Sequence, residues 1–433
     1  MLLTRFKTLL KGNFLRSILV LMTGTASIQL MNFLITPIIT RLYSPEAFGA
    51  LGLFSSTITF TVVAVTLSYP IALVIERRDR NVEDLTSVCI KLIIINSLIA
   101  MIAVFVISKT VNFLSETITL YLAIALTPAS LVVLYTQLLL RERKFKFLAL
   151  VSFVSALTVG LMKISFGFWF PSDESLLYAA VAGFWISLIP MHLNLNSMKI
   201  PIKMPFIRTK ELVLLKVYRQ FPIYRTPQAL NTSLSQIIPV TLLTYYFGLV
   251  EAGLYTLTRS VLMAPVTLLG KAVYDVALPQ VSRDFHKKPI FKFILTVTIS
   301  LSLISIIPII ILFMWGEYLF SFVFGDDWSR SGVYASCMSY WFLLNICNRP
   351  SVAAVPSLNL DKFLLKNSFV NSILSTFSFV FFATIYNSDE YAILGYFGAA
   401  CFAQFTLIVF VHYNAYKSDI YKFNTIDVDK VLR

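Results

Sequence analysis

The sequence predicts an all-α polytopic membrane protein, with about 12 transmembrane helices in two six-helix bundles around a central cavity. Three observations lead there. The 433 residues are 57% hydrophobic and 13% charged, with a mean hydropathy of +0.78. Apolar residues gather in runs of roughly 20, the length a helix needs to cross the hydrocarbon core. Lys and Arg collect in every second gap between those runs. Backbone polar groups cannot stay unpaired in lipid, so such runs must be helical. An outer-membrane barrel would instead show alternating strands of roughly 10 residues, and the sequence has none.

Read in order, the spans are 17–40, 49–75, 85–108, 118–140, 147–170, 176–197, 221–247, 252–279, 291–314, 332–356, 363–386 and 391–414. The first segment, MLLTRFKTLLKGNFLR, is basic and amphipathic, and no small-residue cleavage site follows the first run. It reads as a retained signal anchor. With that end inside, the inside segments hold 27 Lys and Arg, and the outside segments hold only Arg41, Lys109 and Arg330. Such asymmetry is the mark of cytoplasmic loops, so both termini are expected in the cytoplasm. Basic loops on a membrane chain set topology, and no nucleic-acid partner is expected.

The longest inside segment, 198–220, divides the chain. Pro201 and Pro205 lead into a candidate amphipathic helix, KELVLLKVYRQF, expected to lie at the interface. The expected organisation is an N-terminal bundle (1–197), this linker (198–220), and a C-terminal bundle with a cytoplasmic tail (221–433). The halves resemble each other weakly. Ser27, Gln29 and Pro37 precede Glu46-Ala47-Phe48-Gly49, and Ser235, Gln236 and Pro239 precede Glu251-Ala252-Gly253. Six spans per repeat would leave the repeats in one orientation, an arrangement found in transporters.

Several chemistries are absent from the sequence. No Gly-rich loop ends in Lys-Ser/Thr, so no ATPase is expected. Cys89, Cys337, Cys347 and Cys401 fall in apolar runs without disulfide or metal spacing. His192, His286 and His412 are scattered singly. The outside turns are short, including 315–331, which carries Asp326 and Asp327.

Charges inside the bilayer are costly and tend to be functional. Six basic residues fall within spans: Lys91, Lys163, Arg225, Arg259, Lys271 and Arg349. Lys91 and Arg225 lie near inside ends, where long side chains snorkel to water. That leaves Lys163, Arg259, Lys271 and Arg349 against one acid, Asp275. Asp275 sits four residues from Lys271 and reads either as its ion-pair partner or as a coupling acid. Excess cations want an anion, and phosphate is one that Arg and Lys bind well. An exporter of cationic drugs would need several buried acids instead. Thr25, Gln29, Asn32 and Thr36 share one face of span 1. Asn231 and Ser235 carry similar polarity on span 7. These stripes are candidates for a cavity face that hydrogen-bonds hydroxyl-rich cargo, or for contacts between helices.

Two stretches carry a family resemblance. TGTASIQLMNFLITPIITRLYSPEAFGALGLFSS resembles the opening of the bacterial polysaccharide flippases, the O-antigen (Wzx-type) lipid-linked oligosaccharide exporters of the multidrug/oligosaccharidyl-lipid/polysaccharide superfamily. It does so through Pro37, Arg41, Leu42, Tyr43, Pro45, Phe48 and Gly49. The stretch from Tyr218 to Ser282 resembles the start of that family's second half, through Phe221, Pro222, Pro227, Pro239, Gly248, Gly253, Tyr255, Pro265, Gly270 and Pro279. Together they cover about a quarter of the chain. The resemblance implies two six-helix bundles around a cationic cavity and no enzyme activity. It implies alternating-access transfer of an undecaprenyl-diphosphate-linked repeat unit from the inner to the outer leaflet of the bacterial inner membrane. It also implies a polysaccharide polymerase and a chain-length regulator as neighbours, a monomeric chain, no cofactor, and an open question of proton or sodium coupling. Span 1 lacks the buried Arg of some lipid II flippases. A multidrug or small-solute exporter of the same superfamily is the alternative, and a membrane polymerase or glycosyltransferase comes behind it.

Overall fold

The computed structural model describes residues 13–76, 78–111, 115–196, 208–285 and 289–431. Side chains at 13–25, 80, 111, 195–196, 284 and 421–431 are not described. The described chain is helical, and its contacts divide into two compact units, Met1–Ile237 and Ile238–Arg433. Nine described helices are long and apolar enough to cross a membrane. The structure is thus an all-α polytopic membrane fold.

The first unit contains α1 (Asn13–Thr40), α2 (Pro45–Thr66), α3 (Asp79–Val111), α4 (Glu116–Arg141), α5 (Phe145–Trp169), α6 (Asp173–Asn196) and the short α7 (Thr209–Val217). It also takes the first half of α8 (Thr226–Tyr246). Its helix starts are encoded locally. Ser44 caps α2 by accepting from the Ala47 N–H, and Pro45 supplies a fixed φ at the first helical position. Ser115 does the same for α4 through Ile118, with Glu116 in the first turn. Within the unit α1 packs on α5, α5 on α6, and α4 against α2, α3 and α6.

The linker helix α7 is fastened to this unit. Lys91 on α3 is 7% exposed, and its Nζ donates to both Glu211 oxygens at 2.8 Å. Glu211 also accepts from the Arg208 N–H at 2.8 Å. Tyr69 donates its hydroxyl to the Leu215 carbonyl, and Tyr218 donates to Glu76 at 2.7 Å. The expectation that Lys91 snorkels is therefore corrected. A carboxylate 120 residues away in sequence reaches its ammonium and removes the need for water.

The second unit contains the rest of α8, α9 (Leu249–Asp284), α10 (Phe291–Phe324), α11 (Ser329–Cys347), α12 (Arg349–Ala354), α13 (Asp361–Tyr386) and α14 (Asp389–Val431). Packing of α10 on α11 rests on two glycines. A Cβ built on Gly332 would lie 2.2 Å from the Gly316 backbone, so only hydrogen fits there. The α10 helix is bent at Trp315, whose φ of −130° is not helical, and it runs on to Phe324. The expected outside segment 315–331 is therefore mostly helix, leaving a turn at Gly325 and Asp326–Trp328. Span 332–356 is likewise not one helix. It is interrupted at Asn348, because Pro350 has no N–H to continue the ladder.

Both units turn large apolar side chains outward. Ile102 on α3 is 65% exposed and Phe313 on α10 is 77% exposed. Such a surface is stable only against lipid.

Candidate functional site

The predicted site residues fall in both units. In the first, Gln29 and Thr36 on α1 are half-buried and Asn32 is exposed. Thr36 donates its hydroxyl to the Asn32 carbonyl, a local bond that removes it as a free donor. The side chain of Thr25 lies outside the described residues. Lys163 on α5 is half-buried, and its carbonyl accepts from Tyr43 at 2.8 Å. Asn231 on α8 is buried, and Ser235 one turn on donates to the Asn231 carbonyl.

In the second unit Arg259 on α9 is half-buried and hydrogen-bonds the hydroxyl of Tyr255, one turn earlier. Lys271 and Asp275, further along α9, are both exposed and form no salt bridge with each other. The ion pair allowed by their spacing is not made. Lys163, Lys271 and Arg349 form no salt bridge with any described residue.

Arg349 occupies the best-defined polar site. Its guanidinium lies against Gly270 on α9, where a Cβ would come within 2.8 Å of Nε. One guanidinium nitrogen donates to Asn345 Oδ1 at 2.6 Å, and the buried Nε has no partner. Asn348 beside it is 4% exposed. Its amide nitrogen donates to Gln404 on α14, and its Oδ1 is unpartnered. These groups, with Asn367, Ser368 and Asn371 on α13, line a cavity of about 150 Å3 that contains no acid. The amides were not singled out from sequence. The signal was present as Asn367 and Asn371, four apart on one helical face.

A second polar cluster ties helix starts together at one end of this unit. Arg330 on α11 pairs with Asp389 on α14 at 2.7 Å and with Glu251 on α9 at 3.8 Å. Tyr334 also donates to Asp389. The members of this cluster pair with one another, which reads as structural. Among the described residues no group of His, Cys, Asp or Glu is placed to hold a metal ion. The four cysteines are free, with Cys89 and Cys347 buried.

The described helices are of membrane-spanning length and carry cations at span depth, and comparison with known proteins bears on their class directly. Over 96% of its length the chain shares its fold with a lipid II flippase, MurJ, in an inward closed conformation. The TM-score is 0.73, the identity 11%, and 93% of that chain is covered. It also resembles an inward-facing multidrug resistance MATE family transporter of the MOP superfamily (TM-score 0.67, 11% identity, 91% of this chain and 98% of that one). A third likeness is to a MOP superfamily transporter from Pyrococcus furiosus described as having a binding pocket of reversed polarity (TM-score 0.59, 12% identity, 93% and 95% covered). The fold class is thus that of the MOP-superfamily membrane proteins. Residues 38–332, more than half of the chain, match the polysaccharide biosynthesis protein family, and the chain belongs to that family. No curated protein matches the sequence. Neither the family nor the fold is that of an enzyme.

Proposed function

We propose that this protein is a flippase for a lipid-linked glycan. It carries an undecaprenyl-diphosphate-linked repeat unit of O-antigen or a related surface polysaccharide across the bacterial inner membrane by alternating access. The observation that carries the reading is the charge inside the spans, taken with the family. Lys163 and Lys271 have no carboxylate partner among the described residues, and Arg259 has a tyrosine beside it. Lys163 and Lys271, cations at membrane depth with no acid partner among the described residues, suit a phosphorylated cargo. Arg259, Lys271 and Lys163 are the residues proposed to meet the diphosphate, and Arg349 is walled into a pocket of its own. The polar residues Thr25, Gln29, Asn32, Thr36, Asn231 and Ser235 are proposed to meet glycan hydroxyls. Asp275, unpaired and exposed, is the candidate coupling acid, with proton or sodium as the coupling ion.

The reading includes about 12 spans with both termini in the cytoplasm. Among the described residues nine helices satisfy length and hydropathy, and the reading assigns the other three spans to α1, α8 and the interrupted α11–α12 pair. A polymerase and a chain-length regulator are the proposed neighbours of a monomeric chain.

The test is a strain that lacks the protein and is complemented with variants. The wild type restores surface polysaccharide. Arg259→Ala, at equal membrane abundance, lowers it at least tenfold, as loss of a charge-assisted contact would. Full polysaccharide with Arg259→Ala and Lys271→Ala combined would remove the diphosphate role. A drug-susceptibility panel on the same strain tests the exporter alternative, which predicts hypersensitivity with polysaccharide intact.

A further inference from the structure

We propose that the pocket enclosed by Arg349, Asn348 and Gln404 in the second unit binds a phosphoryl group that still carries a proton, as inorganic phosphate or the monophosphate of a prenyl lipid.

The argument starts from two buried groups left without partners. Arg349 Nε is a charged donor, and Asn348 Oδ1 is a neutral acceptor on a residue only 4% exposed. A buried polar group left unpaired is a cost to the fold, so two of them side by side at one cavity point to a ligand. The Asn348 amide is oriented by its bond to Gln404, and Arg349 is oriented by Asn345 and by the bare face of Gly270. Both side chains are therefore held at the cavity wall by partners already committed elsewhere.

The chemistry of the ligand follows by elimination. The lining holds one cation and no carboxylate, which argues against a metal cation. A halide or a carboxylate would satisfy Arg349 but leave Asn348 Oδ1 facing an anion. A sugar ring would offer hydroxyls but no charge, and the lining has no aromatic side chain for it to rest on. A protonated phosphoryl group answers both ends, because one oxygen accepts from Arg349 while its O–H donates to Asn348. A cavity of about 150 Å3 has room for one such group. A diphosphate diester has no such proton at neutral pH, so this ligand is not the diphosphate of the proposed cargo. The inference does not depend on the glycan reading.

The experiment is equilibrium dialysis of radiolabelled orthophosphate against the full chain in phosphatidylcholine nanodiscs, with farnesyl phosphate and sulfate as competitors. One saturable site is expected. Arg349→Gln and Asn348→Asp each weaken it tenfold or more, while Lys109→Gln, at an exposed ion pair, leaves it unchanged. Sulfate, similar in shape but without the proton, competes at least tenfold less well than unlabelled phosphate. Strong competition by farnesyl phosphate supports a lipid source for the ligand, and strong orthophosphate binding without it supports a free one. Direct farnesyl phosphate binding lost in both variants also supports the site. If neither phosphate binds saturably, or if both variants bind as the wild type does, the pocket holds only water and the proposal is overturned. Equal competition by sulfate would overturn the assignment of the proton. Because it reads binding by the purified chain, failure here leaves the polysaccharide complementation result standing.

Discussion

Lys91 and Glu211 show how a single pair decides where a segment lies. Burial alone would push the Glu211 carboxyl up, but Lys91, the Arg208 N–H and Ser87 outweigh it and hold the carboxyl below its usual range. A carboxyl depressed by folding stabilises the fold above its unfolded value, near 4.3, and loses that contribution as pH falls through the folded value. Thermal unfolding in detergent should thus show the wild type losing stability below about pH 4, and Glu211→Gln should lack that component. Glu211→Ala breaks the buried pair with Lys91 and should cost about 3–5 kcal/mol at pH 7. A fall in the unfolding midpoint no larger than that of a surface substitution would contradict the pairing. The oddity of Lys91 was legible in the sequence, as a cation inside an apolar run. Its partner was not, because 120 residues separate them and no local spacing encodes a contact made by tertiary packing. Tyr218 belongs to the same fastening: burial and its bond to Glu76 push its hydroxyl up to about 12.

Helices were the most legible level. Each expected span contains a helix, because a run of apolar residues in lipid has no other way to satisfy its backbone. The interruptions were less legible. Pro350 is visible in the sequence, yet membrane helices often carry proline, so only the structure shows the break at Asn348 that brings it and Arg349 to the pocket wall. The α10–α11 crossing was invisible as well, since Gly316 and Gly332 look like any other membrane glycines. The contact makes a firm prediction. Gly332→Val places a side chain into the α10 backbone, which cannot yield as a flexible side chain would. It should cost at least ~3 kcal/mol or prevent folding. The comparison is Gly398→Ala, where a Cβ meets nothing within 4 Å and the unfolding midpoint should hardly move. Equal midpoints for the two variants would show that the helices do not touch there.

For the whole molecule the charge pattern carries two separate messages. The split of 27 Lys and Arg against three, expected with both termini in the cytoplasm, is a prediction of threading. In a chain whose four cysteines are changed to Ala, a cysteine at Asp326 should react with an impermeant maleimide in intact cells, and one at Lys366 should react only after lysis. The reverse pattern would invert the topology. The few cations left inside the spans are the ones proposed to meet cargo. Their presence was legible, because charge in an apolar run stands out. Their surroundings were not, because Gly270, Asn348 and Gln404 come together around Arg349 from distant parts of the chain. The central claim is transfer of a lipid-linked glycan, and its most direct test is reconstitution. Proteoliposomes holding the purified chain and a fluorescent short-chain polyprenyl-diphosphate glycan should expose the glycan to an external glycosidase faster than protein-free vesicles, with Arg259→Ala at least tenfold slower. Equal exposure with and without the folded protein would contradict the account.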